Sequence, residues 1–201
     1  MQIVLEPERP EIDSVWNEIV PILHDHTTST YHVYLTEPLE SPTNYNKLCS
    51  LLDNAKAYET FIYYMNSPGG ATDAGFQIIH SMVNTKAKVI GKVSGIVASM
   101  ITLIALHCDE LEVADYTQWL SHNYSAGVAQ SKGFELKTYV TFSSLELEHA
   151  FREIHAGFLT EAEIQGVLED RDIWLNAQQI RDKWKMFKPT THTKPLSTKV
   201  A

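Results

Sequence analysis

Three short segments of the sequence carry residues whose types and spacing could support nucleophilic catalysis. The first, Asn66-Ser67-Pro68-Gly69-Gly70, follows a run of strand-forming residues, and its paired glycines allow a sharp turn that leaves backbone N–H groups facing a ligand. The second, Ala98-Ser99-Met100, places a serine after an apolar strand and at the start of an apolar helix. The third, Ser121-His122-Asn123, puts a histidine at the end of another strand. Together they could supply oxyanion-binding N–H groups, a nucleophile and a general base.

Each segment also has a simpler structural interpretation. Residues 66–70 fit an ordinary strand-to-helix turn, Ser99 fits a helix N-cap, and a histidine such as His122 is more often structural in a chain with nine histidines. No Gly-Lys-Ser/Thr follows the glycines, which excludes a phosphate-binding loop. No Gly-x-Ser-x-Gly surrounds Ser99, which excludes the elbow of α/β-hydrolases. Catalysis is therefore favoured by the three segments in combination and not by any one of them.

The elements that would position these residues alternate between strand and helix patterns from residue 31 to residue 122. Short connections between such elements predict βαβ units and an α/β fold. The predicted strands are 32–35, 61–65, 88–93, 110–113 and 119–122, and the predicted helices between them are 43–56, 73–84 and 99–108.

The two ends of the chain have different patterns. Apolar pairs at helical spacing predict a helix near 11–24. A long amphipathic stretch predicts a helix over 135–157, closed by Gly157. Thr160 begins a capping-box pattern, and Asn176 is predicted to cap a last helix at 177–184. Residues 189–201 are predicted to be disordered.

Charge and composition exclude several classes of function. Sixteen Lys and Arg against 25 Asp and Glu give a net charge of −9, which argues against binding to nucleic acid or to anionic membranes. The most apolar stretch, 93–106, is fourteen residues long and too short to span a bilayer, and the first ten residues lack the pattern of a secretory signal. The only cysteines, Cys49 and Cys108, are predicted to be buried apolar residues, and no metal site is expected.

In their order and spacing, the three segments resemble the ClpP family, the proteolytic subunit of the Clp protease, within the crotonase-like superfamily. The resemblance extends over about residues 31–184. It implies an α/β spiral of ββα units with a long protruding handle helix at about 135–157. The corresponding division of the chain is an N-terminal segment at 1–30, a serine protease domain at 31–188 and a tail at 189–201.

The resemblance also implies roles for individual residues. It makes Ser99 the nucleophile, His122 the general base and Asp172 the third member of the triad, with Asp170 as the alternative. The other implied residues are the oxyanion-hole positions Gly69, Gly70 and Met100 and the substrate-binding positions Ala71, Asn123, Tyr124 and Ser125.

The implied function is a self-compartmentalised serine endopeptidase that hydrolyses unfolded proteins or peptides. The resemblance further implies stacked rings, for instance a tetradecamer, a partner AAA+ unfoldase that alone would use ATP, no cofactor in the subunit, and a location in the cytoplasm of a bacterial or phage-infected cell. Three departures from the family pattern, at Ile101-Thr102, at Asn123-Tyr124 and at 183–186, suit a divergent phage-type member.

Four alternatives stay open at this stage. A phage capsid-maturation protease would use the same triad, whereas a catalytically inactive paralogue would keep only a structural role in the ring. A crotonase-like acyl-CoA enzyme shares the oxyanion hole but lacks Ala-Ser-Met with a strand-borne histidine. A Ser/Lys peptidase would need a lysine near Ser99, and Lys92 is the nearest candidate in sequence.

Overall fold

The structure is a computed structural model that describes residues 19–125 and 133–188, with side chains from residue 137 onward in the second range. Within these ranges a mixed seven-stranded sheet is combined with α-helices. The strands are β1 (Ile22–Asp25), β2 (Thr30–Leu35), β3 (Thr60–Ser67), β4 (Lys88–Ala98), β5 (Glu110–Val113), β6 (Gln118–Ser121) and β7 (Ile173–Asn176). The helices are α1 (Asn46–Asn54), which a short 3₁₀ turn at Pro42–Tyr45 precedes, α2 (Thr72–Asn84), α3 (Met100–Leu106), α4 (Gly133–His155), α5 (Glu161–Leu168) and α6 (Ala177–Met186). The predicted α/β class is confirmed.

The sheet is built around the long strand β4. Its order is β1-β2-β3-β4-β6-β7, and β5 pairs with β4 outside this path. Strands β2 to β6 are paired in parallel, while β1 and β7 add antiparallel pairs at the two ends. The first part of β4 pairs with β5 and its last three residues pair with β6. The carboxyl end of β4 therefore lies beside the carboxyl end of β6.

Side-chain alternation explains which face of the sheet the helices cover. In β3, Phe61, Tyr63 and Met65 are buried and alternate with half-buried Ile62 and Tyr64, as expected of a strand with one face against the core. Helix α3 is buried at every position and contacts α2, β3 and β4. These contacts fix both ends of the turn between β4 and α3.

Several sequence-based predictions changed or gained detail. The helix predicted for 11–24 is wrong at its end, because β1 occupies Ile22–Asp25 and pairs with β2; residues 1–18 lie outside the described ranges. Strand β7 was not predicted. The helix expected at 135–157 is α4, shifted by two residues, and the tail at 189–201 is not among the described residues.

The predicted helix caps and the burial of both cysteines are confirmed. Thr160 and Glu163 form a capping box at α5, and Asn176 and Gln179 form one at α6. Cys49 and Cys108 are free and buried, and burial raises the pKa of the Cys108 thiol well above its usual range. In the described part of the chain, no helix combines the length and the apolar character needed to cross a membrane.

Candidate active site

Residues 66–70 form a turn that is tied to the chain on both sides. The Ile96 N–H of β4 donates to Asn66 Oδ1 at 2.9 Å, at the point where the register between β3 and β4 shifts. The buried Ser67 hydroxyl donates to Glu37 O at 2.8 Å and accepts from the Gly69 N–H at 3.1 Å. The polar residues of the motif therefore hold the turn in place through these hydrogen bonds.

Gly69 packs directly against Ser99. Its φ is +91°, and a Cβ built on it would lie 2.6 Å from both Ser99 Cβ and Ala98 O and 2.9 Å from Met100 N. Real Cβ atoms essentially never approach other atoms so closely, so only glycine fits here. The turn at residues 66–70 therefore packs against the side of Ser99.

Gly70 pairs with Leu39 in a short parallel bridge. Leu39 N–H donates to Gly69 O at 2.8 Å, and Ala71 N–H donates to Leu39 O at 2.8 Å. In this parallel pairing the Gly70 N–H and C=O point away from Leu39. Gly70 also lines the cavity described below, as does Ser99.

Ser99 has a strained backbone at the junction of β4 and α3. Its φ of +56° and ψ of −131° are rare for a residue with a side chain. It occupies the N-cap position of α3, but its hydroxyl makes no capping hydrogen bond. Its carbonyl instead accepts from the Thr102 N–H at 2.9 Å and the Thr102 hydroxyl at 2.6 Å. The N-cap interpretation therefore does not explain why a serine side chain stands here.

His122 is brought to Ser99 by the pairing of β4 with β6. Ala98 is paired with Leu120, and the Ser99 N–H donates to Leu120 O at 2.9 Å. His122 follows β6 by one residue and is partly buried. The second and third segments of the sequence are therefore neighbours at the carboxyl ends of adjacent parallel strands.

Ser99 and His122 line one cavity of about 710 Å³. Its walls come from the turn after β3, the first turns of α2 and α3, the segment after β6, and α4. Most of the lining is apolar, and Asp73 contributes a carboxylate. The apolar lining residues include Phe76, Met100, Leu103, Val140, Leu147 and Phe151. Such a cavity fits an apolar side chain of a ligand whose polar part reaches the serine.

The two candidate aspartates occupy different positions. The register of β6 with β7 ends at the pair Ser121 and Ile173, whose chain neighbours are His122 and Asp172. Asp170 instead accepts a hydrogen bond of 2.8 Å from the Asn123 side chain. In the described residues no hydrogen bond joins Ser99 to His122 or His122 to either aspartate.

The predicted substrate-binding residues surround the same cavity. Ala71, Asn123, Tyr124 and Ser125 all line it. The Tyr124 hydroxyl is hydrogen-bonded to Ser144 Oγ on α4. The segment after His122 is thereby attached to α4 through Tyr124 and to the α5–β7 loop through Asn123.

One departure from the family pattern, Ile101, and the lysine of the Ser/Lys alternative, Lys92, do not line the cavity. Ile101 is completely buried within α3 and is not among the lining residues, so its bulk belongs to the core. Lys92 is not a lining residue either; its ammonium pairs with Glu112 at 3.0 Å, and this hydrogen bond raises the pKa of Lys92. A protonated lysine in an ion pair is a poor general base, which argues against a Ser/Lys mechanism.

One polar group next to this site was not predicted from the sequence. Buried His155 at the end of α4 contacts Ser121, the residue before His122. The sequence offered one hint of a buried polar partner: Ser121, between Leu120 and His122, stands at a position of the predicted strand that faces inward. Within the described residues, no group of three or more His, Cys, Asp or Glu side chains is arranged to hold a metal ion.

Comparison with known protein families gives a match over most of the chain. The sequence model of the Clp protease family matches residues 13–183, which is most of the chain. A search of curated proteins found no match.

Proposed function

The chain belongs to the Clp protease family, and we propose that it is a serine endopeptidase in which Ser99 is the nucleophile and His122 the general base. Membership of this family implies peptidase activity in general. The observation that supports the assignment best is the strained turn that presents Ser99, packed against Gly69, to a cavity that His122 also lines. Strained backbone geometry of this kind clusters at active sites.

The proposed reaction is acyl transfer in two steps. Ser99 Oγ attacks the carbonyl carbon of a peptide bond while His122 takes the hydroxyl proton. His122 then gives that proton to the departing amine, and an ester on Ser99 remains. Water attacks the ester with His122 again as base, releasing the carboxylic acid and restoring the serine.

Gly70 and Met100 are the proposed oxyanion donors. The Gly70 N–H is directed away from Leu39, and Met100 is the first residue of α3, where helix N–H groups have no partner within the helix. Gly69 is the weaker candidate, because its N–H donates to Ser67 Oγ. Loss of one such donor typically costs about 3–4 kcal/mol of transition-state stabilisation.

Asp172 is the proposed third member of the triad. It precedes Ile173, which is paired with Ser121, the residue before His122; from there its carboxylate would orient the His122 ring and stabilise the imidazolium. Asp170 is less suitable, because the Asn123 amide already occupies its carboxylate. The role of Asp170 is then to hold the segment that follows His122.

The cavity suggests which peptides are cleaved. Its wall is mainly apolar and includes Leu103, Leu147 and Phe151, so an apolar side chain next to the cleaved bond is favoured. The extended substrate would pair its backbone with Gly70 and with the segment at Asn123 and Tyr124, since backbone pairing is how proteases commonly bind extended peptides. Unfolded proteins and peptides can supply such segments, whereas folded domains cannot.

Assembly into stacked rings is part of the proposal. On α4, Tyr139, Phe142 and Leu145 are 67%, 64% and 63% exposed, and exposed apolar side chains in a row typically mark an interface. The partner AAA+ unfoldase, the absence of a cofactor in the subunit and the cytoplasmic location stay predictions from the resemblance.

The test is peptide hydrolysis by Ser99→Ala. Purified protein should cleave fluorogenic peptides with an apolar residue before the cleaved bond, and Ser99→Ala should abolish cleavage while leaving the assembly unchanged by sedimentation. Ser50→Ala, an exposed serine on α1, is the matched control and should retain full activity. Hydrolysis that survives Ser99→Ala would refute the proposal.

A further inference from the structure

His155 is a completely buried histidine with contacts on both sides of its ring. It is the last residue of α4, and its Nδ1 lies 3.0 Å from Phe151 O. Its Nε2 lies 3.4 Å from Ser121 Oγ. Its ring stacks on that of Phe151, with centroids 3.9 Å apart. Burying a polar ring costs free energy unless its nitrogens have hydrogen-bond partners, and here both nitrogens have one.

The hydrogen bonds around His155 have only one consistent direction. A carbonyl oxygen can only accept, so the proton of the neutral ring sits on Nδ1 and is donated to Phe151 O. The unprotonated Nε2 then accepts from the Ser121 hydroxyl, which in turn accepts from the Trp119 indole N–H at 3.0 Å. Burial lowers the pKa of His155 to about 4, against the opposing effect of the Phe151 hydrogen bond, so the ring is neutral at pH 7.

This chain of hydrogen bonds joins two parts of the candidate active site. Ser121 is the residue before His122 and is paired with Ile173, the residue after Asp172. Phe151 is one of the residues of α4 that line the cavity. His155, the last residue of the helix that forms part of the cavity wall, therefore contacts the strand end that presents the proposed base.

We propose that His155 and Ser121 are positioning residues for His122, which tie the end of β6 to α4 so that the base and the cavity wall keep a fixed relation. The inference rests on the proposed function of Ser99 and His122. Neither residue touches substrate; both act through the position of His122. Because misplacement by about 1 Å can cost a hundredfold in rate, a loss of this tie should appear mainly in kcat.

The network also contributes to stability. An apolar residue at position 121 would leave the buried Trp119 indole N–H without its Ser121 partner, which costs free energy of folding. Beyond stability, the polar pair fixes the position of β6 relative to α4, since a fully satisfied buried network allows only one arrangement of the elements that it joins.

Two variants and one control test the proposal. His155→Phe keeps an aromatic ring on Phe151 but removes both nitrogens, and Ser121→Ala removes the hydroxyl. His149→Phe makes the same substitution on the exposed face of α4, where the His149 side chain is 67% exposed. Each protein is assayed for the rate at which a fluorophosphonate labels Ser99 and for kcat and KM on one peptide, per assembled protein measured by sedimentation.

We expect each of the two variants to slow labelling and kcat by about tenfold or more, which is about 1.4 kcal/mol, with KM within about twofold of the parent. The double variant should be no slower than the slower single one, because both changes break the same connection. The His149→Phe control should behave like the parent.

The contrary outcomes are distinct. Folded His155→Phe and Ser121→Ala proteins with parental rates would overturn the positioning role, as would a double variant whose losses multiply. A lower melting temperature with unchanged kcat would show a purely structural pair and also overturn it. If His155→Phe does not fold, Ser121→Ala alone decides. A parent protein whose Ser99 is never labelled would instead refute the proposed function, and this inference with it.

Discussion

The closest contact around the proposed nucleophile makes Gly69→Ala a sharp test of the active-site geometry. The new Cβ would stand 2.6 Å from Ser99 Cβ and Ala98 O, whereas ordinary contact begins at 3.4 Å. The backbone at Ser99 must therefore move away by about 0.8 Å, the difference between these two distances. Displacements near 1 Å at a reacting group cost on the order of a hundredfold in rate. We expect kcat/KM to fall by about that factor, or about 2.7 kcal/mol.

Gly157→Ala is the matched control for this substitution. Gly157 has a φ of +86°, close to the +91° of Gly69, but a Cβ built there meets no atom closer than 3.9 Å. Both variants carry the cost of a left-handed backbone at a residue with a side chain, about 1–3 kcal/mol. Only Gly69→Ala also pushes on Ser99, so Gly157→Ala should retain near-parental activity per folded protein.

The assay is peptide hydrolysis normalised to the assembled fraction, with the free energy of unfolding measured by urea denaturation for both variants. Comparable activity of Gly69→Ala and Gly157→Ala would refute the reasoning, because it would mean that Gly69 does not pack against Ser99 in the working enzyme.

Three further predictions address the third triad member, the hydrogen bond that holds the backbone at Ser99, and the pH dependence of stability. Asp172→Asn should lower kcat by about 10⁴-fold, as loss of the aspartate does in other Ser-His-Asp triads, while Asp170→Asn keeps most of the activity; the reverse order in steady-state kinetics would exchange their roles. Thr102→Val removes the 2.6 Å hydrogen bond to Ser99 O and should lower the free energy of unfolding by about 1 kcal/mol; an unchanged urea midpoint would contradict this. Burial raises the pKa of Glu163, but hydrogen bonds from Lys183 and Thr160 outweigh it and hold the pKa below its ordinary 4.5. The ionised carboxylate therefore stabilises the fold above pH 4.5, and this contribution is lost as the pH falls through the lowered pKa. Parent and Glu163→Gln should therefore differ in unfolding free energy at pH 7 and converge in acid, and a difference that persists at low pH would exclude this origin.

Local pattern was enough to predict the α/β class and most of its elements. The alternation between residues 31 and 122 gives β2 to β6 with the helices between them, because each element carries its own periodicity and its own end signals. The capping boxes at Thr160 and Asn176 were visible for the same reason. Such signals need no knowledge of distant residues.

Local pattern fails at the two ends of the sheet, where β1 was predicted as part of a helix and β7 was not predicted. Strand β1 has only four residues, Ile22–Asp25, and its two apolar residues also fit the helical spacing of the preceding ones. Strand β7 is equally short and includes Trp174, which is 53% exposed. What makes both of them strands is pairing with β2 and β6, and that information lies elsewhere in the chain.

For the candidate site, local pattern could predict residue types and order, whereas only the family resemblance predicted that these residues lie together. The glycines of residues 66–70 pointed to a turn, yet nothing local indicated that Gly69 would contact Ser99 thirty residues later, or that Ser99 would have a positive φ. The pairing of Ser121 with His155 depends on how α4 returns to β6 and was equally hidden. Tertiary packing produces these contacts, and single-sequence patterns do not record it.

The most direct test of the central claim is covalent labelling of the assembled protein with a serine-reactive fluorophosphonate, followed by mass spectrometry of the labelled peptide. The parent should carry the label on Ser99, since only an activated hydroxyl attacks such a reagent. His122→Ala should abolish that label while the protein stays folded and assembled. An assembled parent without label on Ser99, or a Ser99 that reacts equally well in His122→Ala, would contradict the account.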